Sequence, residues 1–100
     1  MKNKYLNIAR EIVLSEIDKT TITVILFGSR ANGNERHDSD MDIGFFGKEE
    51  IDPSVFINIA DKLEESIVPY HFDLIDLNKS GQKFKRQALK DGILWNKAKS

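Results

Sequence analysis

The sequence predicts a small α/β (α+β) domain in which a small mixed β-sheet is flanked by helices, in the order α-β-β-α-β-α. Apolar residues of the N-terminal stretch recur at intervals of three and four, and three short runs are rich in β-branched and aromatic residues. The 100 residues contain no repeat, linker or low-complexity segment. We therefore expect residues 1–100 to form one domain with one core.

The first half of the chain provides one helix and two strands. The apolar positions between residues 3 and 18 lie on one helical face: Tyr5, Leu6, Ile8, Ala9, Ile12, Val13 and Ile17. Residues 21–27 are nearly all apolar and predict a central strand buried on both faces. A second strand over residues 41–46 begins at or just before Asp40, and Gly47 ends it.

The second half predicts two further helices around a third strand. Asp52 is a typical N-cap and Pro53 a typical first residue of the second helix, which continues to Ile67 and is stopped by Pro69. Residues 70–77 predict the third strand. The last helix is expected to be capped by Ser80, to end at Gly92 before residues 93–95, and to bury three residues on its inner side: Phe84, Ala88 and Leu89.

Composition excludes several classes of protein. The chain has no cysteine, which excludes disulfides, thiolate nucleophiles and Cys-ligated zinc. Its N-terminus has neither a signal-peptide core nor a membrane span, so we expect a cytoplasmic protein without a membrane partner. The net charge of −1 combines an acidic middle with a basic C-terminal part, and makes no strong case for direct nucleic-acid binding.

Paired aspartates predict a metal site at the start of the second strand. Asp40 and Asp42 are two residues apart, so an extended chain directs both carboxylates to one face. Divalent metal relieves their repulsion, and two magnesium ions suit phosphoryl chemistry. Asp73 and Asp76 are candidates for a third carboxylate, and their odd spacing places them on opposite faces of the third strand. We choose Asp73, because a charge inside the apolar run from Phe72 needs strong compensation, whereas a turn can solvate Asp76.

The dipeptide Gly28-Ser29 follows a buried strand and begins a turn that can direct backbone N–H groups and a hydroxyl at phosphates. Taken alone it is an ordinary turn, because GSRANG lacks the lysine and the spacing of a P-loop. DSDMD lacks the glycine and distal glutamate of an EF-hand. His37 is expected to be exposed, and Phe84 and Trp95 are expected in the core in preference to a base-stacking surface.

Taken together, these motifs resemble the DNA polymerase β-type nucleotidyltransferase superfamily, and in particular its minimal nucleotidyltransferases. The motifs are Gly28-Ser29-Arg30-x-x-Gly33, Ser39-Asp40-x-Asp42 and an aspartate on a later strand. The resemblance implies that Asp40, Asp42 and Asp73 are catalytic metal ligands and that Gly28 and Ser29 hold the triphosphate. It gives Arg30 a contact to phosphate or to a partner. Family members often carry a second arginine where this chain has Asn32, which removes one phosphate contact.

The resemblance also implies a reaction and a partner. The expected reaction is magnesium-dependent transfer of a nucleoside monophosphate, AMP from ATP, to a hydroxyl on another protein. In the family, minimal nucleotidyltransferases are paired as antitoxins with HEPN-domain toxins, so the expected partner is a HEPN-domain protein. The alternative is a catalytically idle subunit that binds nucleotide or neutralises its partner by contact.

Overall fold

A computed structural model of the protein describes residues 4–27 and 41–99. These residues form three helices and four strands. In chain order they are α1 Lys4–Ser15, β1 Ile22–Phe27, β2 Met41–Gly47, α2 Pro53–Glu65, β3 Phe72–Asp76, α3 Gln82–Asp91 and β4 Ile93–Asn96. The predicted fold class is confirmed, and the structure adds a fourth strand at the C-terminal end.

Helix α1 buries Ala9 and Val13 and ends three residues earlier than predicted. The chain leaves the helix because side chains of the next segment bond to nearby backbone and so favour a turn. The Asp18 carboxylate accepts hydrogen bonds from the Thr20 amide, at 3.0 Å, and from the Thr20 hydroxyl, at 2.6 Å. These bonds lower the pKa of Asp18.

Helix α2 begins as predicted. The Asp52 carboxylate accepts a hydrogen bond from the Ser54 amide at 2.9 Å, and Pro53 occupies the first turn. This bond lowers the pKa of Asp52. The helix ends at Glu65 because the Ser66 hydroxyl donates to the Leu63 carbonyl oxygen at 2.6 Å, and Ile67 is exposed beyond it instead of continuing the helix.

The strands form one mixed sheet in the order β3-β2-β1-β4. Strand β1 is antiparallel to β2 and to β4, whereas β2 and β3 are parallel and are connected through α2. The sequence prediction does not include β4. Its first three residues are apolar and favour a strand, but the run is short and directly follows α3. Long-range hydrogen bonds hold it on β1. One of them runs from the Asn96 side-chain amide to the Ile22 carbonyl oxygen at 2.7 Å.

Helices cover the two faces of the sheet unequally. Helices α1 and α2 pack on what we call the α1–α2 face, whose buried strand residues are Val24, Leu26, Met41, Ile43 and Phe45. Helix α3 packs on the opposite α3 face, where the buried cluster consists of Ile25, Phe27, Leu77 and Ala88. Trp95 is half-buried and packs on the α1–α2 face, close to the core position that we predicted.

Helix α3 departs from the prediction in two respects. Its N-cap is Gly81, because the Ser80 hydroxyl instead donates to the Leu77 carbonyl oxygen at 3.1 Å. Of the three residues expected on its inner side, only Ala88 is buried, whereas Phe84 and Leu89 are 45% and 46% exposed. Helix α3 contacts the sheet through Ala88, which is a small residue. The sheet therefore covers only a narrow part of the helix surface.

None of the described helices has the length and apolar content needed to cross a lipid bilayer.

Candidate active site

The candidate site lies at the edge of the sheet where β1 ends and β2 begins. Phe27, the last residue of β1, is the register partner of Asp42, the second residue of β2. Four predicted site residues lie in the connection between these strands and are outside the described residues: Gly28, Ser29, Arg30 and Asp40. His37 also lies there. The described part of the predicted site therefore consists of Asp42 and Asp73.

Asp42 and Asp73 are register partners on the parallel strands β2 and β3. Neighbouring strands lie about 4.8 Å apart, and paired residues direct their side chains to the same face. The shared face is the α3 face, because Gly44 and Ile75 form the next pair on it. Two carboxylates that are far apart in sequence are thus next to each other at one edge of the sheet.

The two carboxylates differ in exposure. Asp42 is half-buried between β1 and β3, whereas the Asp73 side chain is 53% exposed. The sequence predicts that Asp73 is buried within an apolar run, and that prediction is wrong. Strand β3 is at the edge of the sheet, so a residue on its α3 face has a neighbouring strand on one side only and remains in contact with solvent.

Asp76 lies on the other face of β3, opposite Phe45 in the register. Its carboxylate accepts a hydrogen bond from the Asn78 amide at 3.0 Å, and the Lys79 amide donates to its carbonyl oxygen at 3.1 Å. Asp76 thus closes the turn after β3, as its position at the strand end predicts. Only Asp73 of the two is paired with Asp42.

Sequence reasoning missed His71 as a neighbour of the site. Its Nε2 atom is 3.5 Å from Oδ1 of Asp73, and its carbonyl oxygen accepts a hydrogen bond from the Met41 amide at 2.9 Å. The sequence does contain a signal for this contact. His71 and Asp73 are two residues apart on an extended segment, as Asp40 and Asp42 are, and this spacing places both side chains on one face.

Phe84 lies beside this edge of the sheet, with its ring centroid 5.8 Å from that of Phe27 in an edge-to-face arrangement. Phe84 is half-exposed, so part of its ring is accessible to solvent and the prediction that it lies in the core is wrong. Trp95 packs on the α1–α2 face, opposite to the face of Asp42 and Asp73.

The donor atoms of this edge suit a hard divalent cation. Magnesium prefers carboxylate oxygens, and Asp42 and Asp73 bring two carboxylates together on one face. Within residues 4–27 and 41–99, no cluster of three acidic, histidine or cysteine side chains has the arrangement of a complete metal site. The adjacent Asp40 is the remaining acidic residue that the sequence assigns to such a site.

Comparisons with known proteins agree with the fold. A family model described as "Polymerase beta, Nucleotidyltransferase" matches residues 7–99. No curated protein matches the chain at a significant level.

Solved structures with the same fold include minimal nucleotidyltransferases alone and in toxin–antitoxin complexes. The structure of a putative minimal nucleotidyltransferase is 26% identical, with a TM-score of 0.71 over 93% of this chain and 95% of that chain. A mutant of the toxin-antitoxin MntA-HpeT is 26% identical, with a TM-score of 0.67 over 94% of this chain and 72% of that chain. A third structure contains a tri-AMPylated Shewanella oneidensis HEPN toxin with its MNT antitoxin. It is 23% identical, with a TM-score of 0.67 over 95% of this chain and 71% of that chain.

Proposed function

The chain belongs to the polymerase β nucleotidyltransferase family, and we propose that it transfers AMP from ATP to a hydroxyl group of a HEPN-domain partner protein, as the antitoxin of a toxin–antitoxin pair in the cytoplasm. The pairing of Asp42 with Asp73 is the observation that carries this proposal. It joins a residue of the Ser39-Asp40-x-Asp42 motif to the aspartate of a later strand. The AMPylated HEPN toxin of the Shewanella oneidensis complex supports the choice of donor and acceptor.

In the proposed reaction, the oxygen of the acceptor hydroxyl forms a bond to the α-phosphorus of ATP. The bond from that phosphorus to the bridging oxygen of the pyrophosphate breaks, pyrophosphate leaves, and the hydroxyl proton passes to solvent. Asp40, Asp42 and Asp73 are the residues that would hold magnesium. When bound, the metal supplies a Lewis acid that lowers the pKa of the acceptor hydroxyl and neutralises the charge on the leaving group.

The protein's own residues bind and orient the nucleotide in this proposal. Gly28 and Ser29 offer backbone N–H groups and a hydroxyl to the triphosphate, and Arg30 offers a guanidinium to phosphate or to the partner. Gly28 directly follows Phe27 in the chain, and Phe27 pairs with Asp42. The phosphate-binding turn and the carboxylates therefore start from one edge of the sheet, as an ATP–magnesium complex requires.

The test uses the chain co-expressed with the product of the adjacent gene, as the candidate partner. After incubation with ATP and magnesium, intact-mass spectrometry of the complex is expected to show the partner heavier by one or more AMP units. Asp42→Asn is expected to lower the rate of transfer by at least about 100-fold, because a metal supplies several kcal/mol of charge stabilisation and about 1.4 kcal/mol is a factor of ten.

The variants Asp73→Asn and Asp76→Asn form a matched pair on one strand. Their comparison tests which of the two aspartates belongs to the site. Asp73→Asn is expected to abolish transfer and to leave ATP binding measurable by calorimetry, whereas Asp76→Asn is expected to leave transfer nearly unchanged. The opposite pattern would assign the third carboxylate to Asp76. A stable complex whose partner never gains mass would instead indicate a subunit that acts by contact alone.

A further inference from the structure

A pocket lies on the α3 face, at the opposite end of the strands from Asp42. It has a volume of about 580 Å³, within the range of about 300–1,000 Å³ typical of small-molecule sites. Thr23 lines it from β1 and lies four residues before Phe27, which places it about 13 Å along the strand from the candidate active site. The two sites therefore share a face of the sheet but not their residues.

The pocket has apolar walls. Phe46 lines it from β2, Leu89 from α3, and Leu94 from β4. Leu89 and Leu94 are 46% and 52% exposed, although large apolar side chains of a small domain usually lie in its core. An apolar body that enters the pocket would remove this exposed surface from water, which is favourable.

Three lysines complete the lining: Lys48, Lys85 and Lys97. None of the lining residues found in the described chain is acidic, and none of the three lysines forms an ion pair within residues 4–27 and 41–99. The Nζ atom of Lys85 is 4.1 Å from the centroid of the Phe46 ring, a cation–π contact that keeps the ammonium group at the apolar wall. An anion would relieve the mutual repulsion of these charges.

Thr23 adds a hydrogen-bond donor at the base of the pocket. It is only 7% exposed, and its hydroxyl accepts a hydrogen bond from the Ala98 amide at 3.0 Å. For the hydroxyl's own hydrogen, no acceptor is found in the part of the chain that the structure describes. The hydroxyl can therefore donate to a carboxylate that enters the pocket.

We infer that this pocket binds a small organic carboxylate with an apolar body. The apolar part lies against Phe46, Leu89 and Leu94, and the carboxylate is paired with the lysines. Volume, exposed apolar walls and uncompensated positive charge are all explained by such a ligand. The inference is independent of the proposed transferase activity, because none of the lining residues belongs to the candidate active site.

The test measures binding of 8-anilinonaphthalene-1-sulfonate, a fluorescent aromatic anion, to the whole chain. We expect saturable binding of one molecule per chain, displaced by decanoate but not by decanol at the same concentration. Displacement by both would indicate an apolar pocket without anion selectivity. Displacement by a short polyglutamate peptide at a lower concentration than decanoate would assign the surface to an acidic protein partner. Either result overturns the inference.

Two matched pairs of variants locate the binding. Lys85→Gln is expected to weaken binding about fivefold, as loss of one partly buried charge pair implies. Lys90→Gln removes the same charge from the same helix, but Lys90 lines a separate groove, so binding should be unchanged. Leu94→Asn should weaken binding, whereas Ile93→Asn should not, since the two neighbours are equally exposed but only Leu94 lines the pocket.

Thermal melts followed by circular dichroism establish that each variant is folded. If the variants of Leu94 or Ile93 do not fold, the comparison of Lys85→Gln with Lys90→Gln tests the inference by itself. An equal effect of Lys85→Gln and Lys90→Gln, or no saturable binding to the unmodified chain, would refute the inference.

Discussion

The two faces of the sheet are built differently. On the α1–α2 face, eleven of the described residues form one buried cluster, which includes Phe45 and Ile43 at 0% exposure. On the α3 face, the buried cluster has four described residues, and the single helix above it leaves Phe84 and Leu89 half-exposed. Two helices thus cover most of one face, whereas one helix with a short contact covers only part of the other.

The two faces therefore have different roles: the α1–α2 face contributes most of the buried core, and the α3 face carries the candidate binding sites. The large buried cluster of the α1–α2 face stabilises the fold through apolar burial and close packing. The partly covered face carries Asp42 and Asp73 at one end and the lysine-lined pocket at the other. Polar groups can stay solvated there and still lie on a rigid sheet, which is what a binding site needs.

The largest expected effect on stability comes from truncation on the α1–α2 face. Phe45→Ala should lower the free energy of unfolding by about 3–5 kcal/mol, because the ring is fully buried and the surrounding residues cannot fill its volume. Urea denaturation followed by circular dichroism measures this loss. Ile43→Ala on the same face and Ile75→Ala on the α3 face remove the same atoms, but Ile43 is fully buried and Ile75 only half-buried. A loss for Ile75→Ala as large as that for Ile43→Ala would show that the two faces contribute equally.

A smaller effect is expected where the α3 face is tightly packed. A Cβ atom added at Gly44 would lie 2.5 Å from Cδ1 of Leu77 and 3.0 Å from Cε1 of Phe27. Gly44→Ala should therefore lower the free energy of unfolding by about 1–3 kcal/mol through overpacking. Denaturation of Leu77→Ala and of the double variant provides the control, because the penalty should shrink once the leucine side chain is removed. An unchanged penalty in that background would place its cause in the backbone.

Truncation of an exposed ring on the α3 face should matter less. Phe84→Ala removes the edge-to-face contact with Phe27 and should cost about 0.5–1.5 kcal/mol in the free energy of unfolding. Urea denaturation measures it, with Phe84→Leu as a control that keeps most of the apolar volume. A cost similar to that of Phe45→Ala would mean that Phe84 is a core residue, as the sequence first predicted.

The smallest expected effect is a pH dependence at the start of α2. The pKa of Asp52 is lowered in the folded chain, so its ionised form stabilises the fold above its unfolded pKa of about 3.9, and this contribution is lost as pH falls through the folded pKa. Asparagine caps a helix without ionising. At pH 7, the melting temperature of the Asp52→Asn variant should therefore lie within about 3 °C of that of the unmodified chain. On acidification, the melting temperature of the variant should fall less than that of the unmodified chain.

Asp52→Ala serves as the control for this cap, because it removes the hydrogen bond to the Ser54 amide at every pH. Thermal melts at pH 7 and at acidic pH compare the three proteins. Equal acid sensitivity of the aspartate and asparagine forms would show that ionisation of Asp52 contributes nothing to the pH dependence.

Local signals in the sequence predicted most of the elements and part of the candidate site. The cap at Asp52 and Pro53 marked the start of α2 correctly, and the odd spacing of Asp73 and Asp76 placed them on opposite faces of β3, as the register shows. The predicted C-terminal end of α1 and the predicted cap of α3 were wrong, because serine, threonine and aspartate side chains compete for nearby backbone groups. The roles of Gly28, Ser29, Arg30 and Asp40 stay predictions.

The sequence by itself determined the helices, three of the strands and the chemical character of the metal-binding motif, because periodicity, caps and turns act over a few residues. Only the tertiary structure decided that Asp73 pairs with Asp42, that residues 93–96 join the sheet beside β1, and that α3 leaves a pocket lined by lysines. These features depend on strand register and helix placement. Contacts between residues far apart in the chain set both, and no local pattern encodes them.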